Sequence, residues 1–263
     1  MSVAALLLSD SRFPAGGHAH SGGVEPAVTA GTVTDLGSLE AFLRGRLRTA
    51  GLVAAGLAAA ACARAGWGNQ RSVRYDGVGL WDLLDAEADA RTPSPAQRAA
   101  SRRQGRALLR AARVTWPDDD GLAGLAAFVT ATAGGGAGPE SGAARGRGGV
   151  GATLTAEYRG GPHHAVVLGA AAAAAGCDAR DAARIAAYQS VAGAASAAVR
   201  LLALDPMRAT AVLARLTGDI DRIAERAAAS ADGPLDQLPC PSAPALDLLA
   251  EAHIRAEVRL FES

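Results

Sequence analysis

Apolar residues recur at spacings of three and four along most of this chain, which predicts helices almost throughout. Ser2–Leu8 reads as a short helix, stopped by the turn-rich run Ser9–Gly17, and Glu25–Thr29 as a second, closed by Gly31. Asp35 caps a longer helix with Leu39, Phe42, Leu43 and Leu47 on one face. That apolar run continues through Ala65, with Gly51 and Gly56 weakening it. Leu80–Ala90 places Trp81 and Leu84 on one side and Asp82 and Asp85 on the other. Ser94 as cap and Pro95 in the first turn start a helix to about Thr115. Asp118–Asp120 then supply negative charge to the N-terminus of Leu122–Ala133. In the second half, His163–Ala175 ends at Gly176, and Asp178 with Asp181 opens a helix carrying Tyr188, Ala192, Ala195, Val199 and Leu202 at helical spacing. Asp205–Pro206 opens a helix through about Ala229, and Ser242 with Pro244 opens the last, ending near Phe261. Ser72–Tyr75 and Thr153–Tyr158 are the only strand candidates. Gly134–Gly151 holds nine glycines in 18 residues and reads as a flexible surface loop. The expectation is an all-α fold: one domain over residues 1–263, a bundle of about eight to ten helices.

Composition sharpens this picture. Of 263 residues, 66 are Ala, 32 are Gly and only 4% are aromatic, so the core is built by close approach of small side chains. All 26 basic residues are Arg, matched by 26 acidic ones. Without Lys there is no G-x-x-x-x-G-K-[ST] phosphate loop and no Schiff-base chemistry. A balanced charge argues against a nucleic-acid binder. Cys62, Cys177 and Cys240 form no C-x-x-C pair and suggest no disulfide framework. The N-terminal apolar run is six residues without a basic leader, and Ala165–Cys177 is 13 residues, too short to span a bilayer. These points predict a cytoplasmic protein with no membrane span.

Chemistry-bearing candidates are few. His18 and His20 form an H-x-H pair; two imidazoles at that spacing can share a metal, but more ligands are needed, and turn fixation is the favoured role on spacing alone. His163 and His164 point about 100° apart on a helix and suit surface capping rather than one ion. His253 stands four residues before Glu257 and can hydrogen-bond to it. Arg98, Arg102, Arg106, Arg110 and Arg113, broadened by Arg103, form a stripe with no acidic residue between Arg98 and Arg113. Such a stripe is a solvated face or a docking surface, and its self-repulsion favours an acidic neighbour inside or outside the fold. No G-x-S-x-G, H-E-x-x-H or Ser-His-Asp set can be picked out, and neither a cofactor nor a resident metal is expected.

The run Leu8-Ser9-Asp10-Ser11-Arg12-Phe13-Pro14-Ala15-Gly16-Gly17-His18-Ala19-His20-Ser21-Gly22-Gly23-Val24-Glu25 closely resembles the N-terminal signature of the urease accessory protein UreF family. Ser101-Arg102-Arg103-Gln104-Gly105-Arg106-Ala107-Leu108-Leu109 is similar to its S-R-x-x-G-x-x-L-L helix. Tyr188 through Arg200-Leu201-Leu202-Ala203-Leu204 resembles its R-L-x-x-L helix, and Leu246-Asp247, His253 and Arg259-Leu260-Phe261-Glu262-Ser263 its tail. The likeness spans nearly the whole chain. Three departures occur: His18 replaces an aromatic, Ile254 replaces a Glu, and the pair Asp205-Pro206 replaces Gly-Gln. The resemblance implies a non-enzymatic, all-helical homodimer that joins UreD (also called UreH) and the GTPase UreG and supports nickel delivery to apo-urease. It also implies a C-terminal tail, residues 242–263, that orders on UreD binding, with Arg259 the leading contact, and a Phe13–Glu25 segment near the GTPase-facing surface. The partner-binding residues expected are then His18, His20, Glu25, Arg102, Arg106, Arg259 and Phe261. The alternative is direct nickel binding by His18 and His20.

Overall fold

The computed structural model describes residues 3–10, 12–14, 17–65, 79–134 and 161–261. The loop expected at 134–151 and both strand candidates lie outside these residues, save Gly134, which ends a helix. Among the described residues there are eleven α-helices and no strand, which makes the protein all-α. They are α1 (Val3–Ser9), α2 (Val24–Thr29), α3 (Leu36–Ala65), α4 (Leu80–Ala90), α5 (Pro95–Thr115), α6 (Asp120–Gly134), α7 (His164–Ala174), α8 (Ala179–Leu202), α9 (Pro206–Arg215), α10 (Thr217–Ala228) and α11 (Pro244–Ile254).

The caps expected from sequence form. Asp35, Ser94 and Asp178 each accept a backbone N–H three residues on, and Asp205 accepts from Met207. Two boundaries differ. The helix expected over 205–229 breaks at Leu216, where Thr217 and Gly218 are poor helix formers and the Thr217 hydroxyl donates back to the Ala214 carbonyl. The last helix stops at Ile254 instead of near Phe261, because the N–H groups of Leu260 and Phe261 bond to a side chain elsewhere in the chain.

The centre of the bundle is α3 packed against α7 and α8. Fully buried Ala55, Ala58 and Ala59 of α3 meet Val167, Leu168, Ala171 and Ala172 of α7 and Ile185, Ala187 and Ala198 of α8. Gly169 permits the α3–α7 crossing, since a Cβ there would collide with the Ala58 carbonyl and lie 2.6 Å from the Ala61 Cβ. Two helices, Leu36–Ala65 and Ala179–Leu202, are long and apolar enough to cross a membrane by length and composition. In this fold they are the two central helices and lie against each other. A π-helical turn, Leu47–Gly51, interrupts α3 midway.

Candidate functional site

The turn ahead of α2 brings the two ends of the chain together. Gly22 and Gly23 both take positive φ, +62° and +87°, so the chain reverses without strain. The Ser21 hydroxyl accepts the N–H of Glu25 at 3.3 Å and the Ser21 carbonyl accepts that of Val24. Glu25 is thereby buried at the start of α2. Its two carboxylate oxygens each accept one backbone N–H from the tail, Leu260 at 2.7 Å and Phe261 at 2.9 Å. Bonds from N–H to an ionised acceptor are about twice as strong as neutral ones. His253 Nε2, buried on α11, lies 3.2 Å from the Phe261 carbonyl and 3.6 Å from Glu25. The Arg200 guanidinium carbon sits 4.4 Å over the Phe261 ring. Phe261 is therefore buried, while Val258, Arg259 and Leu260 stand exposed beside it. The expected His253–Glu257 pair does not form; Glu25 lies beside that ring instead.

His18 lies in the turn Gly17–Ala19, and its side chain is outside the described part of the structure. His20 is buried and close enough to His164 to act on it. Burial first, and His20 second, pushes His164 down to about 4.

The second polar centre joins α4, α5 and α7. Arg102 Nη1 donates to Asp85 at 2.8 Å and to the Gly161 carbonyl at 2.5 Å, while Nη2 donates to Asp89 at 2.5 Å. Asp85 also accepts the N–H of His163 at 2.7 Å. The His163 ring bridges Ser101, at 3.0 Å, and Asp89, at 2.8 Å. Burial alone would lower Arg102 and raise Asp89, but Asp85 and then Asp89 raise Arg102, and His163 and then Arg102 lower Asp89, so both shifts are reversed. His163 is thus a buried bridge, not a surface cap, and Asp85, expected on the polar side of its helix, is fully buried.

Asp85, Asp89 and His163 bring ligand atoms within 4.8 Å of one another. A cation there would have to displace Arg102, which already holds both carboxylates. Ser101, His163 and Asp89 line up as a hydroxyl, a ring and a carboxylate, yet the Ser101 oxygen also accepts the N–H of His164 and the ring is buried. What the arrangement does is pin three helices. Gly105 brings α5 onto this junction, since a Cβ there would collide with the Pro162 carbonyl. Arg106 is exposed, its stem lying over Gly161.

The structure therefore brings Glu25 and Phe261 together, leaves Arg106 and Arg259 at the surface, and encloses Arg102 and His20. Sequence reasoning missed Asp85, Asp89 and Ser101. The available signal was the acid-free Arg stripe with two carboxylates, four residues apart, on the preceding helix.

These features define an all-α protein whose buried polar side chains hold segments of its own chain and leave others displayed. The UreF family model matches residues 33–217. The urease accessory protein UreF of Mycolicibacterium vanbaalenii is 43% identical over 258 residues, 98% of this chain and 97% of the relative. That of Mycobacterium marinum is 41% identical over 258 residues, with the same coverage. That of Mycobacterium tuberculosis is 40% identical over 263 residues, 100% of this chain and 99% of the relative. The chain belongs to the UreF family of urease accessory proteins.

Proposed function

We propose that this chain is a non-enzymatic scaffold for urease maturation, a cytoplasmic homodimer that bridges UreD (UreH) and the GTPase UreG. In that role it supports GTP-dependent nickel insertion into apo-urease, with nickel as cargo and not as a resident cofactor. The observation that carries the reading is the clamp of Glu25 on Leu260 and Phe261. It holds the tail against the N-terminal signature and leaves Val258, Arg259 and Leu260 outward. A partner meeting this edge finds a guanidinium flanked by two exposed apolar side chains, the chemistry of an interface anchor. Ordering a tail costs conformational entropy, so UreD binding at this edge and the clamp reinforce each other. His18 and His20 lie on the Phe13–Glu25 segment proposed to face UreG, and Arg106, exposed on α5, offers a further partner contact. The exposed apolar residues of α1, Val3, Leu6 and Leu7, offer a further surface for a protein neighbour.

The test is co-purification of the full chain with UreD and UreG, alongside Arg259→Ala. The variant is expected to fold normally, because Arg259 is exposed, and to lose at least about tenfold in affinity for the partners, the cost of one well-placed Arg. Undiminished assembly and urease activation by the variant would remove Arg259 from the interface.

A further inference from the structure

Arginines turned inward in this fold meet compensating oxygens. Arg44 and Arg102 each hold two carboxylates, Arg184 holds Asp181 and Asp221, and Arg98 lies 3.8 Å from Asp89 and bonds two carbonyls. Arg64 donates to three carbonyls, and Arg91 to Glu87 and to carbonyls near Leu235. Arg46 differs. Half-buried on α3, it makes one bond, from Nε to the Ser190 carbonyl at 2.8 Å, and no carboxylate among the described residues pairs with it.

The surroundings fix this guanidinium without neutralising it. Its Cζ, Nε and Nη2 each lie 3.3 Å from where a Cβ on Gly22 would stand, so the turn backbone packs against the group. The π-helical turn begins at the next residue, Leu47, and ends at Gly51, where a Cβ would lie 2.8 Å from the Ser190 hydroxyl. Single π-turns inside α-helices often mark functional positions. Here the turn and Gly51 let α8 close on α3 until the Ser190 carbonyl reaches Arg46. Burial draws Arg46 down to about 10, as for a cation without a counter-charge. With Nε occupied, Nη1 and Nη2 remain as a parallel pair, the geometry that takes an oxyanion through two bonds.

We propose that Arg46 is the receptor for an oxyanion group, a carboxylate or phosphate-type anion held by its two terminal nitrogens at the seam between the Ser21–Gly23 turn, α3 and α8. The group comes either as a small free anion or as a carboxylate on a protein docking over the N-terminal turn.

Thermal melting of the full chain in sodium phosphate, against sodium chloride at equal ionic strength, tests the first source. An anion at ten times its Kd raises the melting temperature by roughly 3–5 °C for a chain of this size. Wild type is expected to show that shift and Arg46→Leu to lose it, while melting no lower than wild type in chloride. Co-purification of Arg46→Leu with UreD and UreG tests the second: no phosphate shift in wild type, but loss of the complex by a folded variant, supports the carboxylate source. If Arg46→Leu does not fold, Arg46→Lys keeps the charge without the fork, and the same losses are expected of it. A phosphate response and a complex both unchanged by the substitution overturn the proposal. If wild type assembles with neither protein, the scaffold reading fails, and the phosphate comparison alone decides the fate of this site.

Discussion

At the residue scale, burial at the start of α7 has a consequence that can be measured. His164 is pushed down to about 4, so the folded chain resists the proton that the unfolded chain accepts near 6.5. Between those values the unfolded state binds more protons, and stability rises with pH. Acidification from about 6.5 to about 4 is therefore expected to remove on the order of 2–3 kcal/mol through this ring. Asp89 acts in a lower window. Burial works to raise it, but His163 and Arg102 hold it below its ordinary value, so its contribution is present above about 3.9 and lost beneath. Urea midpoints measured from about pH 2 to about pH 7 for wild type and His164→Gln separate the two. The variant is expected to flatten the upper part of the curve and leave the lower part in place. Equal slopes in both proteins would mean that His164 is not held neutral by the fold.

At the scale of elements, most of the architecture was legible because its signals are local. Asp35, Ser94, Asp178 and Asp205 are caps that act within three residues, and the Ala-rich stripes needed only periodicity. The break at Leu216 was written in Thr217-Gly218 but overridden by the apolar run around it. What stayed hidden was which helix meets which. The Arg stripe on α5 divides, with Arg102 turned in to Asp85 and Asp89 and Arg106 and Arg110 left outside, and only the packing of α4 on α5 makes that split. The glycines show the same dependence, with opposite signs for one substitution. Gly169→Ala on α7 would drive a methyl into the Ala58 carbonyl and is expected to cost about 1–3 kcal/mol. Gly193→Ala on the exposed face of α8 meets nothing within 4 Å and is expected to add about 0.5–1 kcal/mol. Calorimetry of both variants checks the pair; a neutral Gly169→Ala would show that the α3–α7 crossing has room to spare.

At the scale of the whole molecule, the tie between its ends is the feature that local signals could not supply. Glu25 and Phe261 are 236 positions apart, and the resemblance placed both on partner surfaces without placing them on each other. The clamp makes Glu25 a positioning residue for a surface it does not itself display. Glu25→Gln keeps the shape but replaces an ionised acceptor of two N–H groups with a neutral amide that offers one acceptor oxygen and puts an NH2 opposite the other N–H. The bundle core, centred on α3, α7 and α8, does not include that carboxylate. The variant is therefore expected to keep most of its melting temperature, yet to exchange the amide hydrogens of Leu260 and Phe261 at least about tenfold faster, the equivalent of 1.4 kcal/mol. If the displayed edge is what partners bind, the same variant loses affinity for them in step with the lost order, although Arg259 is intact. Faster exchange with undiminished assembly would separate the two roles: the clamp would then hold the tail for the chain's own stability, and the partner surface would have to be sought away from it.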